Sequence, residues 1–359
     1  MHIPDGYLSP STCAVLYGGA GAGWYVSLRR MKRNLNVRMV PLISVFAAFS
    51  FVVMLFNLPL PGGTTGHALG VTIAAIVLGP AGAILATSLA VAIQALFFGD
   101  GGITTLGANC FNMAVVGSLV AYVVYRAISA NAALASRRRV VAAAVAGYVA
   151  VNAAALLTAI QFGVQPLLFR DAQGVPLYAP YSLGVAVPAM MIGHLLIAGV
   201  AEAAISAGLV AYLQAADPAL LRATSGLVHE ASPMQPAPAG SLRRLWITVA
   251  FLMFLTPVGI LAAGTAWGEW SASRFATAEG RARIAASSNH QPVPDKMPAG
   301  IERLATVWTA PIPAYAPAFI KSPHFGYFLS AAFGVGLLIL LSFAAQAYVQ
   351  RARPAGSGE

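Results

Sequence analysis

Apolar residues in this chain fall in blocks of about 20, separated by short polar or basic segments, the length an α-helix needs to cross a bilayer. Such blocks lie near residues 11–28, 40–58, 68–79, 81–98, 108–126, 140–163, 184–213, 245–264 and 325–349. The stretch from Ala68 to Phe98 is too long for one comfortable span, and Gly79-Pro80-Ala81-Gly82 in its middle is a turn signal. It reads as a hairpin with a short first arm. The fold class expected is an all-α integral membrane protein, a seven-span module followed by a two-span hairpin module, with about nine transmembrane helices.

Composition agrees with the pattern. Hydrophobic residues make up 58% of the 359 residues and charged residues only 9%, against roughly 25% charged in soluble domains. A soluble enzyme is excluded. The formal net charge of +10 could suggest nucleic acid, but the basic residues cluster between apolar blocks and read as topology signals instead. The clusters are Arg29, Arg30, Lys32, Arg33 and Arg38, then Arg137 to Arg139, then Arg243-Arg244, then Arg351 with Arg353. All fall on the cytoplasmic side only if the hairpin counts as two spans. That predicts a multi-pass protein of the plasma (inner) membrane with its N-terminus outside and its C-terminus cytoplasmic.

Between Gln214 and Ser241 the composition shifts to Pro, Ala, Ser and Gly, which predicts a cytoplasmic linker. The expected domains are a module over 1–213, a linker over 214–243, and a second module over 244–359 with a long outer loop at 265–324. Met1-His2-Ile3-Pro4-Asp5-Gly6 is polar and turn-like, without the basic start of a signal peptide, and is expected to be the mature end. Cys13 and Cys110 lie in or beside apolar stretches, where burial is expected rather than a disulfide. No Gly-rich phosphate loop is present, so uphill transport would need a partner or an ion gradient.

On this topology His2 and Pro61-Gly62-Gly63-Thr64-Thr65-Gly66-His67 share the outer face. The Met1 amine, the His2 amide nitrogen and the His2 imidazole Nδ1 can close a five-membered and a six-membered chelate ring on one metal ion. The His67 imidazole would make four nitrogens. Such a planar set suits Ni²⁺ or Cu²⁺, whereas Zn²⁺ prefers tetrahedral ligands. Spacing alone favours the plainer reading, in which His2 is the second residue of a polar tail and His67 a polar residue at a helix start. His194 and Glu202, eight residues apart on one span, are intramembrane ionisable residues and so functional candidates, or a structural polar pair between helices. Asn109 and Asn112 open the fifth span and either satisfy loop backbone or brace the site from behind its ligands. Ala14, Gly18 and Ala22 make a small-residue face on the first span, suited to helix packing. Asp295, Glu302 and His324 in the outer loop read as ordinary solvated residues.

Met1-His2-Ile3-Pro4-Asp5-Gly6-Tyr7-Leu8-Ser9-Pro10 resembles the N-terminal signature of the cobalt/nickel substrate-capture subunits of energy-coupling-factor transporters. Thr64-Thr65-Gly66-His67-Ala68-Leu69-Gly70 is similar to that family's second metal-binding segment, and Gly107-Ala108-Asn109 to Asn112-Met113 resembles another of its motifs. The resemblance implies metal ligation by Met1, His2 and His67. It also implies Ni²⁺ or Co²⁺ as transported substrate with no organic cofactor, and as partners a transmembrane coupling subunit and cytoplasmic ATP-binding subunits. The second module resembles the two-span auxiliary component of these transporters through Thr256 to Leu261 and Gly264 to Glu269. Pro298-Ala299-Gly300-Ile301-Glu302 is similar to a Pro-Asp-Gly-Leu-Glu motif, with Ala299 in place of the acidic residue. The rival readings are a stand-alone secondary transporter or channel for divalent cations, for which no internal repeat is seen, and a membrane enzyme using His194 and Glu202, for which no nucleophile is seen.

Overall fold

The computed structural model describes residues 1–34, 39–224, 239–262 and 264–351. Helix α1 (Pro10–Asn34) starts where the Ser9 hydroxyl accepts the Thr12 N–H at 3.1 Å and Pro10 occupies the first turn, a cap and a residue suited to that end. Helix α2 (Met39–Met54) leads into a short antiparallel hairpin, β1 (Leu58–Leu60) with β2 (Thr64–Gly66), in register Leu58↔Gly66. Then come α3 (Val71–Ile93), α4 (Leu106–Asn109), α5 (Gly117–Ser129), α6 (Arg137–Leu168), α7 (Leu183–Gly193) and α8 (Gly199–Ala216). Helices α3, α4 and α7 each run on into a π-helical turn, at Gln94–Phe98, Cys110–Val116 and His194–Ala198, a local widening that recurs at functional sites.

Inside α3 the backbone breaks at Gly79, with φ 72° and ψ 171°, a conformation open essentially to glycine alone. A straight helix would hold Val71 and Gln94 about 35 Å apart. Yet His67, just before α3, and Gln94 both touch the His2 ring. The chain therefore reverses at Gly79-Pro80. The first arm is only about 12 Å long, and the β1–β2 hairpin before it carries the chain into the bundle. By length and composition, six described helical stretches can cross a membrane, with α3 counted once and Met39–Met54 being shorter.

Packing within the first module relies on small residues. Ala142, Ala143, Ala146, Ala150 and Ala154 on α6 are fully buried, while Val141, Val145, Leu156 and Ile160 on its other faces are exposed, apolar outward as lipid requires. Arg139, expected in a loop, sits instead in the first turn of α6, buried, with its guanidinium donating to Tyr125 Oη at 3.1 Å. Cys13 and Cys110 are buried free thiols.

The expected linker at 214–243 is partly helical: α8 reaches Ala216, a 3₁₀ segment covers Pro218–Thr224, and α9 (Ala239–Leu255) begins inside it. The rest of it, 225–238, lies outside the described residues, as do Arg38 and Arg353 from the basic clusters. After α9 a 3₁₀ turn (Thr256–Leu261) leads to α10 (Ala272–Ala276), α11 (Ala278–Ser287), α12 (Ala299–Leu304) and α13 (Pro323–Arg351).

The long segment between α9 and α13 is folded onto the first module rather than being an open loop. Thr65 N–H donates to Thr265 O at 3.2 Å, Gly300 N–H to Leu177 O at 2.7 Å and Ile312 N–H to Phe97 O at 2.9 Å. Asp295, Glu302 and His324 stay exposed, as solvated residues should.

Candidate metal centre

The first ten residues are fixed one peptide at a time. Asn109 clasps Ile3, its Oδ1 accepting the Ile3 N–H at 2.8 Å and its Nδ2 donating to Ile3 O at 3.1 Å. Gly102 N–H and the Thr105 hydroxyl donate to the same carbonyl. The Asp5 carboxylate accepts the N–H groups of Ile103 at 3.1 Å and Thr104 at 2.7 Å. Gly6, at φ 85°, lies against Gly300 and Ile301 so closely that a Cβ there would be 2.5 Å from Ile301 Cα. The Tyr7 hydroxyl donates to Trp270 O at 2.5 Å.

This scaffold buries the chemistry: Met1, His2 and His67 are only 1%, 1% and 5% exposed. His67 Nδ1 lies 3.0 Å from the Ala68 carbonyl, which can only accept, so Nδ1 carries the proton and Nε2 offers a lone pair. That Nε2 faces His2 Nδ1 at 3.3 Å. His2 Nε2 in turn is 3.3 Å from Gln94 Oε1, and the Gln94 amide is oriented by its Nε2 donating to Tyr315 Oη. Tyr315 Oη donates onward to Asp100 Oδ2 at 2.6 Å. With the proton on Nε2, His2 presents its Nδ1 lone pair to both His67 Nε2 and Asp100 Oδ1, the latter at 3.1 Å. Three acceptors thus converge, an arrangement that a proton or a cation between them satisfies. Two nitrogens each about 2 Å from one ion are roughly 3 Å apart when adjacent in its coordination shell.

The Met1 amine lies 3.2 Å from Glu269 Oε1. Burial raises the Glu269 pKa and the adjacent amine draws it back. Burial, and after it His2 and the amine, hold the His67 imidazole well below its ordinary range, so it is neutral at pH 7. Among the described residues no three His, Cys, Asp or Glu side chains form a metal cluster.

The other candidates divide. Asn109 holds the peptide beside His2. Asn112 does not reach the N-terminal segment; it pairs with Gln161 in both directions at 2.7 and 2.8 Å and donates to Thr158. Glu202 caps the buried start of α3, its Oε2 accepting Leu69 N–H at 2.7 Å and Gly70 N–H at 2.9 Å. His194 is buried with Nδ1 on Met190 O at 2.8 Å. Sequence reasoning missed Gln94, Asp100, Glu269 and Tyr315. A lone glutamine in an apolar helix and Gly99-Asp100-Gly101-Gly102 at its end were the available signals for the first two.

Residues 2–220 match the CbiM family, described as a cobalt uptake substrate-specific transmembrane region. The chain is similar to the fused nickel transport protein NikMN of Rhodobacter capsulatus, 54% identical over 339 residues, 94% of this chain and 95% of that one. It is 39% identical over 276 residues to the probable fused nickel transport protein LarMN of Lactiplantibacillus plantarum, 76% and 78% of the two chains. It is 31% identical over 297 residues to the cobalt transport protein CbiM of Geobacter sulfurreducens, 81% and 80%. A crystal structure of a truncated transition-metal transporter superposes with a TM-score of 0.56 at 49% identity, over 59% of this chain and 98% of that one.

Proposed function

Because the chain belongs to the CbiM family of transmembrane metal-transport proteins, we propose that it captures Ni²⁺, or Co²⁺, at the outer face for import. The ligands are the Met1 amine, the His2 amide and imidazole Nδ1, and His67. The observation that carries this reading is the convergence of acceptors at His2 Nδ1, with Gln94 turned to take the other ring nitrogen. A four-nitrogen set containing an amide anion favours a planar ion, hence nickel over cobalt. Asp100 and Glu269 supply negative charge beside it, and Asn109 fixes the chelating peptide. His194 and Glu202 support the site from behind its ligands, Glu202 by holding the Leu69 and Gly70 N–H groups that follow His67.

Import is driven by separate ATP-binding subunits through a transmembrane coupling subunit. The chain crosses the plasma membrane nine times, seven in 1–213 and two in 244–359, with the N-terminus outside. Cells carrying this protein alone should not accumulate nickel against a gradient, and adding the coupling and ATP-binding subunits should restore accumulation. Gradient-driven accumulation by the purified protein in liposomes would instead identify a secondary transporter.

For topology, cysteines placed singly at Gly63 and Ala278, both exposed, in a background lacking Cys13 and Cys110, should react with an impermeant thiol reagent in intact cells. A cysteine beside Arg138 should not. Gly280 is unsuitable because a Cβ there would be 2.2 Å from Arg274 O.

Binding should also weaken as pH falls. The amine and the His2 amide must release protons to bind metal, and each displaced proton lowers affinity by up to about tenfold per pH unit. His67, already neutral because burial lowers its pKa, should add to this slope only in acid well below its ordinary range. Nickel titrations at pH 8, 7 and 6 test it; a flat profile would remove the amine and amide from the site.

A further inference from the structure

Outside the metal centre the two modules line a second, half-open cavity of about 410 Å³, within the range of small-molecule sites. One wall is the tip of the β1–β2 hairpin at Gly62, Gly63 and Thr64; the other is Thr265, Trp270, Arg274, Arg283 and Ser287. Its charge is the opposite of what a bare divalent cation needs: two arginines line it and none of its lining residues is acidic. Arg274 is half-buried, and its Nη1 donates to Thr265 Oγ1 at 3.1 Å, which orients the planar guanidinium and leaves its other N–H groups for a ligand. Arg283 stands at the rim, paired with Glu279 one helical turn away at 2.8 Å.

We propose that this cavity binds a small organic carboxylate, gripped by Arg274 and Arg283 with the Thr265 hydroxyl donating alongside, while the Ser287 hydroxyl donates to Ile284 O at 2.9 Å and only lines the wall. A planar guanidinium matches a carboxylate in two parallel hydrogen bonds, which a spherical anion cannot exploit. The cavity adjoins the metal centre through both walls, since Trp270 follows Glu269, the partner of the Met1 amine, and Thr64 stands three residues before His67. A carboxylate held there is either the chelator that accompanied the metal or a free anion.

Citrate is the probe. Calorimetry on the full-length protein at constant ionic strength should detect citrate binding without nickel. The R274Q/R283Q variant should bind citrate at least tenfold more weakly while binding nickel, supplied as chloride, as wild type does. Ser287→Glu, which adds negative charge without removing an arginine, should weaken citrate in the same way. Repeating the titration on nickel-loaded protein separates the sources: citrate affinity that rises with nickel identifies the metal's chelator, and unchanged affinity a free anion. Absence of citrate binding to wild type, or equal binding by all three proteins, would overturn the proposal. The nickel arm is read separately, so failure of the metal site would show as lost nickel binding with citrate binding retained.

Discussion

An alanine added before Met1 is expected to abolish tight nickel binding while the protein stays folded. The extension moves the free amine one residue from the His2 amide. That breaks the five-membered chelate ring and removes the anchor that makes amide deprotonation favourable. It also forces a new residue into a pocket where Met1 is 1% exposed and separates the amine from Glu269. His2→Ala and His67→Ala should lose binding likewise. The loss should exceed the roughly 100-fold that removal of a supporting partner of a metal ligand costs. Calorimetry gives the affinities and circular dichroism checks the fold. If the extended protein binds nickel as tightly as wild type, the terminal amine is not a ligand.

Asn109→Leu should have the next largest effect on affinity, and Asn112→Leu almost none. Asn109 makes both hydrogen bonds to the Ile3 peptide, so its loss frees the chelating segment to pivot and should weaken nickel binding about 10- to 100-fold. Asn112 faces Gln161, and replacing it leaves the buried Gln161 amide unpaired at a cost of about 1–3 kcal/mol. Its signature is therefore a lower melting temperature with unchanged nickel affinity. The reverse pattern would mean that the π-helical turn at Cys110–Val116, rather than the Asn109 clasp, sets the site.

These two asparagines show where sequence reading stops. Both stand in one short run, and spacing alone offered them equal roles; only the fold turns one to Ile3 and the other to α6. The long helices were legible because apolar blocks of bilayer length leave few alternatives, and the reversal at Gly79-Pro80 was legible because glycine before proline interrupts such a block. The depth of the arm before it was not, because it depends on a hairpin that enters the bundle. Met1, His2 and His67 stood out by their donor atoms. Asp100, Gln94 and Tyr315 did not, since they join the site through a relay spanning both modules. The sequence also marked Pro298 to Glu302 by likeness to a motif with an acidic residue. The fold gives its Gly300-Ile301 a steric role against Gly6, in which the side chain missing at Ala299 plays no part.

The cap that Glu202 places on the start of α3 bears on how the protein is made. Leu69 and Gly70 send their N–H groups to a carboxylate 133 and 132 residues further along the chain. At about 5–20 residues per second, a ribosome needs roughly 7–26 s to travel that distance. For that interval the nascent arm carries two backbone donors with no partner, in a medium where each costs several kcal/mol. The arm therefore has reason to wait near the aqueous edge until α8 arrives, and the loop attached to it, which carries His67, is drawn into place only as α8 is inserted. Chains stalled before Glu202 should hold that loop open to protease, and chains released after it should not.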